Sequence, residues 1–203
     1  MKKISFIALF VCAFLFAQTP SEIQNKLQAR YGSIQTFSAN LKQTNHFSQL
    51  DRSIVYEGKI YFQPPRLLIS FEEPALQRLL VYSGRAELYD GSSSTLFVSD
   101  ILPEFNRMNP IELLQLYWDQ SAVEILGTSG GLLRIRLSPE DDPFIREINA
   151  DIAYDSGIVR KLSYQDHSQN TVSYSFSKIV FDGAIPASVW NFRYPEETQI
   201  IQQ

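Results

Sequence analysis

The chain has one cysteine and two histidines in 203 residues, and no run of basic residues. Each scarcity excludes something. Cys12 lies inside the apolar N-terminal run, so the chain beyond it has neither a disulfide nor a thiolate metal site. A lipid-modified Cys12 would want small residues before it. Leu9-Phe10-Val11 supplies none, which makes Cys12 an ordinary residue of an apolar segment. His46 and His167 both fall in polar, turn-like contexts, with no partner at triad or metal-ligand spacing. Eighteen Lys and Arg stand against 22 Asp and Glu, for a net charge of −4. That balance lacks the basic stripe of a nucleic-acid binder.

Long apolar runs are also missing. The longest, Ile4 to Phe16, is shorter than the roughly 20 residues a spanning helix needs. It follows Lys2 and Lys3 and precedes Ala17 and the polar Gln18-Thr19-Pro20-Ser21. That is the pattern of a signal peptide over 1–17, cut after Ala17, with a single exported domain over 18–203.

Groups able to do chemistry are sparse elsewhere. Glu72 and Glu73 alternate across a strand end, so their carboxylates point apart. Gly130-Gly131 reads as a hairpin turn, because no Lys-Ser/Thr pair and no helix follow. The acidic stretch Glu140-Asp141-Asp142 lacks the ligand spacing of a calcium loop and reads as a solvated turn. The expectation is a protein that is not an enzyme and uses no cofactor or metal.

What is abundant is aromatic: 14 Phe, 10 Tyr and 2 Trp. Tyr56 to Pro74 shows how they are used. Tyr56, Gly58, Ile60 and Phe62 share one parity, and Leu67, Ile69 and Phe71 share one parity across a Pro64-Pro65 turn. Alternate residues of a strand face one side, so this hairpin has one greasy face. The other carries Glu57, Lys59, Gln63, Arg66 and Ser70, with Leu68 as the exception.

The pattern repeats along the chain. A first helix is predicted over Ser21–Tyr31, with Thr19 or Ser21 as its cap, Glu22 in its first turn and Gly32 ending it. Strands follow from Phe37, then a meander through Val98 with two- to five-residue turns. Asn109 to Trp118 is the clear internal helix. Asn109 is its cap, Pro110 its first residue, and it is apolar nearly all round. More strands run from Val123 to Phe181, and Trp190, Phe192 and Tyr194 alternate as a last one. The fold class is mainly β (α+β): about ten antiparallel strands with more greasy face than two helices can cover. Such a sheet must curl. It encloses either a plain aromatic core or an apolar cavity; the composition alone is compatible with both.

One set of motifs goes further. Tyr31-Gly-Ser-Ile-Gln-Thr-Phe37-Ser-Ala39-x-Leu41-x-Gln43 is followed by Gly58-x-Ile-Tyr61-Phe62-x-x-Pro65-x-Leu67 and Phe71-x-x-Pro74. Leu80-Val81-Tyr-Ser-Gly84, Leu88-Tyr89-Asp90, Asp155-Ser-Gly157 and Trp190-x-Phe192-x-Tyr194-Pro195 come next. In order and spacing these resemble the periplasmic outer-membrane lipoprotein carrier family, the LolA type, over essentially the whole mature chain. The resemblance implies an open half-barrel lidded by helices that holds acyl chains in a hydrophobic cavity. Such carriers shuttle lipoproteins from the inner to the outer membrane as chaperones.

The implied partners are acylated lipoproteins, an inner-membrane lipoprotein-releasing transporter and an outer-membrane receptor lipoprotein, with the carrier itself a monomer. The cavity residues would be Tyr56, Ile60, Phe62, Leu67, Ile69 and Phe71, and the lid residues Ile111, Leu114 and Trp118. Carriers of this type have an Arg just before the Pro of the second turn, as a latch on the lid. Pro64 stands there, and Arg66 is the nearest candidate. Leu68-Ile69 replaces an Arg-Trp pair of the third strand. A lipid- or lipoprotein-sensing module of the same fold is the alternative. A hydrolase of hydrophobic esters would need a Ser beside one of two poorly placed histidines.

Overall fold

The computed structural model describes residues 19–100 and 110–202, without the side chains of residues 110 and 111. The expected signal peptide, Cys12 and the expected cap residue Asn109 lie outside them. Among the described residues there are two α-helices and one sheet of twelve strands. The sheet order is β12-β6-β5-β4-β3-β2-β1-β11-β10-β9-β8-β7. The first and last strands do not pair, so the sheet is an open half-barrel, as the sequence implies. No helix among the described residues is long and apolar enough to cross a membrane.

Helix α1 spans Pro20–Tyr31. Thr19 caps it: its hydroxyl accepts from the Glu22 amide, while Glu22 Oε2 accepts from the Thr19 amide at 2.7 Å. Ile23, Leu27 and Tyr31 form its buried stripe. Gly32 ends it, but at φ −72°, in right-handed geometry, not the left-handed turn glycine usually supplies.

The strands fall into two local meanders. The first is β1 (Phe37–Phe47), β2 (Arg52–Gln63), β3 (Arg66–Glu73), β4 (Gln77–Tyr82), β5 (Arg85–Asp90) and β6 (Thr95–Asp100). The second is β7 (Ser121–Ser129), β8 (Leu132–Pro139), β9 (Ile145–Ala153), β10 (Val159–Asp166) and β11 (Thr171–Phe181). They join where β1 runs antiparallel to β11, with Phe37 opposite Phe181. Gly58 sits at a bulge against β3, and a Cβ there would collide with the Ser70 carbonyl oxygen, so the close approach requires glycine.

Helix α2 (Pro110–Trp118) lies on the concave face against β7, β8 and β10. Leu113, Leu114, Tyr117 and Trp118 are buried there with α1 and the inward residues of most strands, as one core. The all-round apolar reading of this helix needs correction: Glu112, Gln115 and Leu116 face outward, Leu116 with 45% of its surface exposed. Asp142 pins the β8–β9 loop to the helix. Its carboxylate accepts from the Phe144 and Ile145 amides and, at 2.7 Å, from the Tyr117 hydroxyl.

The last strand is not where alternation put it. Trp190, Phe192 and Tyr194 belong to no strand. They lie along the convex face of β3–β6 as an irregular strap. Arg66 stacks on Trp190 at 4.7 Å, and Arg78 stacks on Phe192 at 4.3 Å while donating to the Val189 carbonyl. The Tyr194 hydroxyl donates to Glu87 at 3.0 Å. Phe192 and Tyr194 pack on Tyr89, Leu96 and Val98 as a small second core. Leu68, the odd apolar residue of its face, is fully buried on this side. Only after the strap does the chain form β12 (Gln199–Gln202), parallel to β6 at the sheet edge.

Candidate functional site

The concave face is apolar because of strand parity. Ala39 and Leu41 of β1, Ile60 of β2 and Ile69 of β3 all point inward and are buried in the main core. The helices do not fill this face evenly. At the end where β1 begins, packing is close. Tyr31, Phe37 and Phe181 pack ring to ring with centroids 5.4–6.3 Å apart. The Val159 amide donates to the Tyr31 hydroxyl at 3.0 Å. Burial pushes the Tyr31 phenol up to about 12. Only a gap of about 70 Å³ remains there, between Ile60, Phe62 and the α2 residues Glu112 and Gln115.

At the other end of the same strands the groove is open. A cavity of about 420 Å³ lies between β3–β5 on one side and β10–β11 on the other. Strands β5 and β10 stand six places apart in the sheet, so both can line one cavity only because the sheet curls. Its apolar floor is Ile69, Phe71, Leu79, Leu88 and Val172. Its polar wall is Gln43, Asn45, Gln77, Tyr164 and Tyr174. Gln43 Nε2 donates to Asn45 Oδ1 at 2.8 Å. Burial, reinforced by the neighbouring Tyr164, pushes the Tyr174 phenol up, so it stays neutral at any ordinary pH.

The predicted cavity residues divide between the two ends. Ile69 and Phe71 line the cavity, and Tyr56 packs on Phe71 with ring centroids 5.4 Å apart. Ile60 and Phe62 line the small gap, and Leu67 is buried in the core. Of the lid residues, Leu114 and Trp118 are buried in the core, and the Ile111 side chain lies outside the described residues. Arg66 contacts Gln63 and Trp190, on the convex side with the strap. The polar wall was not anticipated, although the parity of β1 carries on past Leu41 to Gln43 and Asn45, which was a usable signal.

The other groups weighed for chemistry are occupied in structural contacts. His46 Nδ1 lies 3.1 Å from Ser53 Oγ, and His167 Nε2 lies 2.8 Å from the Asp142 carbonyl oxygen. On the convex face outside the strap, charges pair across strands: Lys42 with Glu57, Arg134 with Asp151, Arg136 with Glu147.

No family model matches the sequence, and no curated protein matches it. The fold has counterparts among solved structures. An uncharacterized conserved protein from Thermus thermophilus aligns with a TM-score of 0.59 at 10% identity, covering 92% of this chain and 100% of that one. MucB aligns with a TM-score of 0.56 at 14% identity, over 90% of this chain and 65% of MucB. A LolA superfamily protein from Nitrosomonas europaea aligns more loosely, with a TM-score of 0.44 at 11% identity over 87% of this chain and 99% of that one. The first two likenesses establish a shared fold, that of the open half-barrel described above.

Proposed function

We propose that the chain carries acyl chains, in the manner of the lipoprotein carriers its sequence resembles. The observation that supports this most is the uneven filling of the concave face. A sheet whose greasy side is sealed by helices at one end leaves Ile69, Phe71, Leu79 and Leu88 around an accessible cavity at the other. An apolar cavity with a few convergent polar groups suits a small ligand. Burying hydrocarbon there yields about 25 cal/mol per Å², enough for reversible holding without covalent chemistry. Acylated lipoproteins are the proposed cargo, with an inner-membrane transporter as donor and an outer-membrane receptor as acceptor. The work is done in the periplasm.

Native mass spectrometry of the full chain from its own cell envelope, followed by organic extraction, tests this. Bound acyl species are expected, and an empty protein would overturn the reading. Leu88→Asp places a charge at the cavity where the residue is 39% exposed, and is expected to abolish retention while circular dichroism stays unchanged. Release of acylated proteins from inner membranes by the purified chain separates a carrier from a sensor.

A further inference from the structure

The cavity also has a chemical character that narrows its ligand. Among its ten lining residues none carries a charge, and half offer neutral hydrogen-bonding groups. At about 420 Å³ the cavity lies at the small end of ligand pockets, with room for one acyl chain rather than several. Gln77 faces inward beside Phe71, and its carboxamide has no hydrogen-bond partner among the described residues. Gln43 donates to Asn45 and both keep unused capacity, the Gln43 carbonyl and second N–H and the two Asn45 side-chain N–H groups. These groups are partly buried at the cavity wall, and a ligand that meets them with hydrogen bonds gains over one that covers them without.

Building on the carrier reading, we infer that this site takes a single acyl chain joined to its head through a neutral ester or amide linkage, with Gln77, Gln43 and Asn45 gripping the linkage. A fatty-acid anion fits poorly. Its carboxylate would be drawn from water into a site with no cation to pair with it. An ester carbonyl accepts from a carboxamide N–H at no such cost, and an amide both accepts and donates.

The probes are monopalmitoylglycerol, a neutral ester, and palmitate, its anionic counterpart. Titration of the full-length mature chain is expected to show the ester binding about tenfold tighter, with one ligand per chain in native mass spectra. Gln77→Leu is expected to weaken the ester about five- to tenfold and leave palmitate unchanged. Asn45→Leu serves the same purpose if Gln77→Leu does not fold. Equal or tighter palmitate binding, two ligands per chain, or a preference untouched by both variants would overturn the inference while leaving acyl carriage intact. A wild-type chain that binds neither probe and retains no lipid would overturn carriage itself.

Discussion

The two ends of the concave face are built from the same strands with the same parity, yet one is a core and the other a cavity. At the closed end, α2 presses Leu113, Leu114, Tyr117 and Trp118 into the sheet, and aromatic rings tile the remainder. At the open end no helix of the described residues arrives, and the inward positions turn from Phe37, Ala39 and Leu41 to Gln43 and Asn45. An inward residue that meets another side chain can be wholly apolar. One that meets water or a ligand cannot be left so without exposing a sticky patch. The composition of the inward face thus reports whether the protein fills that space itself.

Substitutions at the two ends should separate stability from binding. The largest effect is expected from Leu114→Ala at the closed end, which empties a fully packed site at a cost of about 2–5 kcal/mol in urea unfolding. Ligand binding by the folded fraction should be unchanged.

Next comes alkaline pH. Tyr31 has its folded pKa raised to about 12 from the usual 10, so the fold favours the protonated phenol. Its contribution is complete below pH 10 and is lost as pH rises through 10 to 12, by about 2–3 kcal/mol. Tyr31→Phe should lessen that part of the pH-stability slope, with Tyr174 and Tyr194, also raised by burial, carrying the remainder; an unchanged slope would remove Tyr31 from the account.

A smaller effect tests a region outside the groove. Tyr194→Phe removes one of two hydroxyls on Glu87, the other being that of Tyr82, and should cost about 1 kcal/mol. It should not touch ligand affinity. The smallest effect on stability belongs to Leu88→Ala at the open end, where 39% of the residue is exposed: under about 1 kcal/mol. Yet this variant should weaken acyl binding measurably by titration, the reverse of Leu114→Ala.

The sequence showed the architecture well because its signals were local. The Pro64-Pro65 hairpin, the first helix with its cap at one of Thr19 or Ser21, and the bounds of β11 depend on near neighbours only. It misplaced what depends on distant surfaces. Trp190, Phe192 and Tyr194 alternate like a strand because one side of an extended segment packs on a sheet; alternation records one-sided burial, whether or not a ladder forms. Leu68 looked like an exception because parity does not show that its side of the sheet is also covered there, where it is fully buried. The cavity residues were only half separable. Parity says that Ile60 and Ile69 face the same way, but it cannot say which of them a helix will reach.

The seam between the two meanders has a kinetic consequence. Hairpins within each meander can form as soon as their residues are available. The β1–β11 ladder, with Phe37 opposite Phe181, and the β12–β6 edge must wait for nearly the whole chain. Closing so long a loop costs entropy before the contacts return it, and folds dominated by such pairings form slowly. A polypeptide with this topology stays loose while it is being made, and it locks only once the strands that pair with β1 and β6 are available.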